Sequence, residues 1–288
     1  MKLSFGIKTA PQNTTYQDML RVWLEADSIP VMEHAWLFDH FTSLGPDPTG
    51  PCLEGWTLLA AYAAVTKRIR LGLMVTGNTY RNPAVLTNMA ITVDVISNGR
   101  LDFGIGAGWN ELEHSMYDMQ LYAPGERIRR MGEACEVYRL LCTEERANFD
   151  GKYYHLKDAL SNPKPIQKPY PPIVIGGSGE QLTLRMVARY ANVWNFVGGP
   201  VDMFRHKNQV LDEHCAEIGR DPKTITRSIQ SRVNYDNIAE TIDSIKPYIE
   251  AGATHIILNL LAPYPENIVH KLAEEIAEPL QAAYEGAS

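Results

Sequence analysis

Two hydrophobic periods alternate along almost the whole chain, and this alternation limits the fold more than any other feature. Short apolar runs of β character occur at 3–8, 35–38, 69–75, 100–105, 173–175, 193–197, 225–231 and 255–260. Helical patterns separate them. In 237–252, Ile238, Ile242, Ile245 and Ile249 form one apolar face; in 124–142, Ile128, Met131, Cys135, Tyr138 and Cys142 do the same. Pro83 suits the first turn of a helix over 84–96, where its missing N–H costs nothing, and Ser97-Asn98-Gly99 supplies a left-handed stop. With a last helix over 266–283, the tally is eight βα units in 288 residues. That count predicts a single α/β domain over 1–288, a closed (β/α)₈ TIM barrel rather than an open sheet.

One stretch breaks the rhythm. Residues 148–172, within an insertion spanning about 143–172 between strands 4 and 5, carry five prolines and are too long for an ordinary connection. Two readings stand side by side: a segment crossing the barrel mouth, or a purely structural excursion.

Several runs end abruptly in polar or glycine-rich sequence, as strands do when their tips carry a site. The second ends in Asp39-His40, the fourth in Gly104-Ile105-Gly106-Ala107-Gly108-Trp109-Asn110, and the fifth in Gly176-Gly177-Ser178-Gly179. The three glycines of the fourth run lack the spacing of a dinucleotide fingerprint, and no acidic residue ends the following strand, so that reading is rejected. They suit close passage of backbone past a flat ligand. Gly176 to Gly179 precede a helical pattern over 180–190, which predicts an anion site from backbone N–H groups at a helix start. Asp39 is a candidate acceptor for a ligand, and His40 a candidate proton carrier near neutral pH. Glu111 and Glu113 read as helix-start charges rather than catalytic acids, and His114 and His155 as surface or packing residues.

Other classes are excluded. A net charge of −7 without a Lys/Arg run argues against nucleic-acid binding. The longest apolar stretch, 58–65, is far too short for a bilayer, so no membrane partner is expected. Cys52, Cys135, Cys142 and Cys215 form no CxxC pair, no zinc spacing or nucleophile elbow occurs, and a reducing cytoplasm with no bound metal is the expectation.

The motifs taken together resemble the luciferase-like flavin/deazaflavin oxidoreductases, in particular the branch that uses coenzyme F420. The resemblance runs through Leu37-Phe38-Asp39-His40-Phe41, Arg81-Asn82-Pro83-Ala84-Val85, and Asp94-Val95-Ile96-Ser97-Asn98-Gly99-Arg100-Leu101. It continues in Gly106-Ala107-Gly108-Trp109-Asn110-Glu111-x-Glu113 and Pro172-Ile173-Val174-Ile175-Gly176-Gly177-Ser178-Gly179. It implies a barrel with its insertion over the mouth, usually a homodimer, acting on a small-molecule substrate. It also implies that Asp39 contacts the deazaflavin, that His40 faces the reacting centre, and that Met74, Val75 and Thr76 back the ring across a non-proline cis peptide. Gly108, Trp109 and Asn110 would line the ring and substrate side, Gly176, Gly177 and Ser178 the phosphate, with Trp194 and Asn195 as further candidates. Trp109 stands where sugar-phosphate dehydrogenases of this group place a catalytic Glu. This leaves His40 as the proton donor and Asn110 as an orienting group. FMN in a luciferase-like monooxygenase is the alternative cofactor, and a non-catalytic cofactor-binding barrel the alternative class.

Overall fold

The computed structural model describes residues 1–285. The chain begins β1 (Ser4–Thr9), α1 (Tyr16–Ser28), β2 (Met32–Leu37), α2 (Gly55–Val65), β3 (Arg70–Leu73), β4 (Thr76–Gly77) and α3 (Pro83–Ile96). It continues through β5 (Leu101–Gly106), α4 (Glu111–Met116), α5 (Pro124–Thr143), β6 (Ala147–Asp150), β7 (His155–Ala159) and β8 (Ile173–Gly176). The last third holds α6 (Thr183–Tyr190), β9 (Val193–Phe196), α7 (Val201–Glu217), β10 (Thr226–Arg232), α8 (Ile238–Glu250) and β11 (His255–Leu260). A final helical run comprises α9 (Ile268–Leu272), a π turn (Ala273–Ala277) and α10 (Glu278–Glu285).

The strands close a parallel barrel in the order β1, β2, β3/β4, β5, β8, β9, β10, β11. β11 returns to β1 with Ser4 beside His255 and Thr9 beside Leu260. The third barrel position is interrupted: β3 meets β5 at Leu71 and Gly72, and β4 rejoins it at Thr76 and Gly77. Between them, the Met74–Val75 peptide is cis.

Most of the core lies between the barrel and its helices, where β1, β5 and β11 each bury apolar side chains against the surrounding helical layer. Inside the barrel, Trp36, Met74, Val174 and Ile257 form a separate apolar cluster. Helix starts follow local chemistry. Thr15 accepts from Asp18 N, Glu54 from Trp56 N and Thr57 N, and Asn82 from Ala84 N ahead of Pro83. α3 stops as its sequence predicts: Asn98 and Gly99 take positive φ, and Gly99 N donates to Asp94 O at 2.8 Å.

The insertion is a structural excursion rather than a strap over the mouth. β6 and β7 form an antiparallel hairpin whose Phe149, Leu156 and Ala159 cover Val137, Leu140 and Leu141 of α5. An apolar stripe on the outer side of α5 demands that cover. Arg130 fastens the hairpin, its guanidinium 3.6 Å over the Tyr122 ring and 4.4 Å over that of Tyr153. The chain then descends along the outer wall, where Gln167 hydrogen-bonds Asp94 and the Leu101 carbonyl.

Candidate functional site

A cavity of about 420 Å³ opens at the carboxyl ends of the barrel strands. Small-molecule sites occupy roughly 300–1,000 Å³, so it suits one flat organic ligand. Its floor is built by Val75, whose side chain enters the barrel where the third strand is interrupted. The neighbouring strands yield to it. A Cβ at Gly106 would lie 2.6 Å from Val75 Cγ2, and one at Gly176 would lie 3.2 Å from it. Met74, Val75, Thr76, Gly106, Gly108 and Gly176 all face this cavity, which makes an apolar shelf free of bulk. Gly106→Ala therefore pushes Val75 into the ligand space; a drop of at least about tenfold in the affinity of a flat ligand seated on the shelf, read by fluorescence titration, is the expected result.

His40, just past β2, lines the same cavity. Its Nδ1 lies 2.8 Å from Glu113 Oε2, and Glu113 also accepts from Tyr80 Oη at 2.5 Å, Phe41 N at 2.7 Å and Thr42 N at 3.0 Å. Burial pushes the Glu113 carboxyl up, but the bonds from His40 and Tyr80 and the Thr42 backbone more than offset this and hold it down to about 2. Glu113 is thus no surface helix-start charge. It is the buried carboxylate that fixes an imidazole. The signal was present in Asn110-x-x-Glu113: Asn110 caps α4 by accepting from Glu113 N at 3.3 Å, which sets Glu113 in the first turn. His114 is likewise buried, with Nδ1 on Asn110 O at 2.6 Å and Nε2 on Thr79 Oγ1 at 2.7 Å. Asn110 is held in this structural role and does not line the cavity. Trp109 does line it, at the rim and 61 % exposed, with its ring edge-on to His40 at 5.4 Å.

Asp39 requires a correction. It lies behind the wall, because Phe38 and His40 take the inward positions of an alternating chain and Asp39 between them points away. Arg81 grips it at 2.6 and 3.0 Å while reaching Glu54 at 2.6 Å, and Thr76 Oγ1 donates to it as well. Burial raises the Asp39 carboxyl, and the Arg81 charge opposes that rise. With both oxygens engaged, the Asp39 side chain ties β2 to β4.

At the β8 end, Gly177 adopts φ +134° and a Cβ there would meet Thr183 at 2.9 Å. Its carbonyl accepts from the buried Trp194 indole at 2.7 Å. The helix that follows begins at Thr183, three residues later than the sequence pattern suggests, because residues 180–182 form a turn. Gly176 and Gly177 line the cavity and Ser178 follows them off its wall. Two buried donors in this region have no partner: Ser178 Oγ and Nε of Arg127, a cavity residue at the start of α5. That helix start lies against the loop, since a methyl at Gly125 would sit 3.6 Å from Leu182. Buried donors without acceptors suit an anionic group.

Comparison with known proteins places this geometry. The family model described as luciferase-like monooxygenase matches residues 4–287. The chain belongs to the luciferase-like monooxygenase family. An uncharacterised protein of Mycobacterium tuberculosis is 29 % identical over 240 residues, 80 % of each chain. The pyrimidine monooxygenase RutA of Allorhizobium ampelinum is 36 % identical over 154 residues, 52 % of this chain and 40 % of that one. Among solved structures, an F420-dependent secondary alcohol dehydrogenase in complex with an F420-acetone adduct superposes with a TM-score of 0.85 at 19 % identity. It covers 96 % of this chain and 98 % of that one, and at this identity the likeness establishes the shared barrel fold. Luciferase-like enzymes are oxidoreductases and monooxygenases. Within that frame, the sequence motifs point to His40, the shelf residues and the glycine loop. They miss Arg127 and Lys8, which line the same hollow from elsewhere in the chain, and Glu113, which stands behind His40.

Proposed function

We propose that the protein is a coenzyme F420-dependent oxidoreductase that moves a hydride between the deazaflavin and a small organic substrate. The observation that carries this reading is one cavity lined both by a bare apolar shelf and by a carboxylate-anchored imidazole. The residues present fit a phosphate-bearing ring. Arg127 would meet the phosphate from the cavity wall beside Gly176 and Gly177, with Ser178 just beyond them, and Met74, Val75 and Gly106 would back the ring. When bound, a deazaflavin supplies two-electron hydride chemistry.

The chain's own residues would supply the rest. Glu113 holds His40 Nδ1, which fixes the ring orientation and leaves Nε2 to give or take the proton that accompanies a hydride at a carbonyl carbon. Phe38, Leu44 and Trp109 make an apolar rim that keeps water from the reacting atoms. The superposition on an F420-dependent alcohol dehydrogenase supports the deazaflavin, and the stretch shared with a pyrimidine monooxygenase favours the second reading, an FMN-dependent monooxygenase.

Parallel fluorescence titrations separate the two. The deazaflavin reading expects saturable F420 binding with FMN at least about 100-fold weaker, a gap of about 3 kcal/mol. Tight FMN binding without F420 binding reverses the assignment. F420 binding without reduction of any ketone, enone or imine in a panel would leave a non-catalytic cofactor carrier.

A further inference from the structure

Lys8, the penultimate residue of β1, stands at the cavity wall. Around the closed sheet, β1 and β8 are separated by β2, β3 and β5 on one side and by β11, β10 and β9 on the other. Lys8 therefore stands across the barrel from the Gly176–Gly177 loop. Its ammonium donates to Gln230 Oε1 at 2.8 Å, Gln230 donates to Asn195 Oδ1 at 2.7 Å, and Asn195 donates to Ser228 Oγ at 3.0 Å. The relay ends at His255 Nδ1, 2.8 Å from Ser228 Oγ. Each acceptor in this chain is neutral.

Two other partly buried cations have carboxylate partners. Arg70 is paired with Asp102, and Arg81 with Asp39 and Glu54. Among the described residues, no carboxylate stands within ion-pair distance of Lys8. Burial, with no opposing charge, pushes its ammonium down to about 8, and burial likewise holds His255 neutral, at about 3. A largely buried ammonium with one neutral acceptor keeps two N–H bonds to give and costs stability until an anion meets it.

We propose that Lys8 and Gln230 form an oxyanion-accepting pole of the cavity. They would take either a carboxylate or enolate oxygen of the substrate, or the carbonyl edge of the redox ring as it gains charge on reduction. This rests on the cofactor-binding reading above and adds to it the chemical class of the bound group. No covalent step is involved; Lys8 donates a charge-assisted hydrogen bond.

The test compares Lys8→Met and Lys8→Arg with the unaltered chain in three measurements. These are the midpoint potential of the bound cofactor, the Kd for propionate by calorimetry with and without cofactor, and the Tm. Lys8→Met should keep or raise the Tm, because it removes a buried unpaired charge. If the ring supplies the oxygen, Lys8→Met lowers the midpoint potential. If the substrate supplies it, the potential holds and propionate binds about tenfold or more weakly. Lys8→Arg retains part of whichever effect appears. An unchanged potential together with unchanged or absent propionate binding overturns the proposal, as does a lowered Tm with neither functional change. Should the unaltered chain bind no cofactor, the earlier reading fails, while the propionate measurement still decides on Lys8.

Discussion

Glu113→Gln should cut turnover by about 10²- to 10⁴-fold while leaving cofactor affinity within a few-fold. The carboxylate accepts from both the Phe41–Thr42 backbone and the His40–Tyr80 pair. A carboxamide has one acceptor oxygen and a donor NH₂. If the oxygen stays with the backbone N–H groups, the NH₂ faces His40 Nδ1 and forces the proton onto Nε2. An imidazole in that tautomer donates from Nε2 but no longer accepts a proton there. Steady-state turnover set beside fluorescence-derived Kd tests this; equal losses in both would make Glu113 a mere scaffold. Acid stability gives an independent check. With its carboxyl held at about 2 against the ordinary glutamate value of 4.5, Glu113 contributes stability that is fully present above pH 4.5 and lost as pH falls towards 2. The Gln variant should lack that segment of the acid-unfolding curve.

Arg81→Met should be the most destabilising single change near the site, at about 3–5 kcal/mol. It leaves the Asp39 carboxylate buried, with Thr76 as its remaining side-chain partner. A chain of this size should then melt roughly 6–15 °C lower. The double variant Asp39→Asn with Arg81→Met should recover part of the loss, since a neutral pair carries no buried charge. Denaturant unfolding of all three variants decides the point, and an additive double mutant would contradict the coupling. The network matters for function because it ties the end of β2, which carries His40, to β4, which follows Val75.

Much of the architecture was legible because a two-sided parallel strand and an amphipathic helix leave opposite periodicities. β11 falls on its expected residues, and α3 stops where Asn98 and Gly99 allow a left-handed turn. Less was legible where tertiary contacts decide. The continuous apolar pattern of residues 69–75 does not itself show the interruption at Met74–Val75, which only the family resemblance led one to expect. The insertion reads equally well as strap or excursion until the outer stripe of α5 is seen to need covering. Asp39 misled because a carboxylate at a strand tip suggests a ligand, although strict alternation with Phe38 and His40 already turned it outward. Glu113 misled in the opposite sense. A helix-start carboxylate is ordinarily a solvated charge, and only the fold brings residues 40–42 onto it.

A crystal structure with the deazaflavin bound tests the central claim most directly. The ring should lie on Val75 between Gly106 and Gly176, with His40 over its opposite face and its phosphate against Ser178 and Arg127. A ring seated elsewhere, or turned so that its reactive carbon faces Val75 and away from His40, would contradict the account.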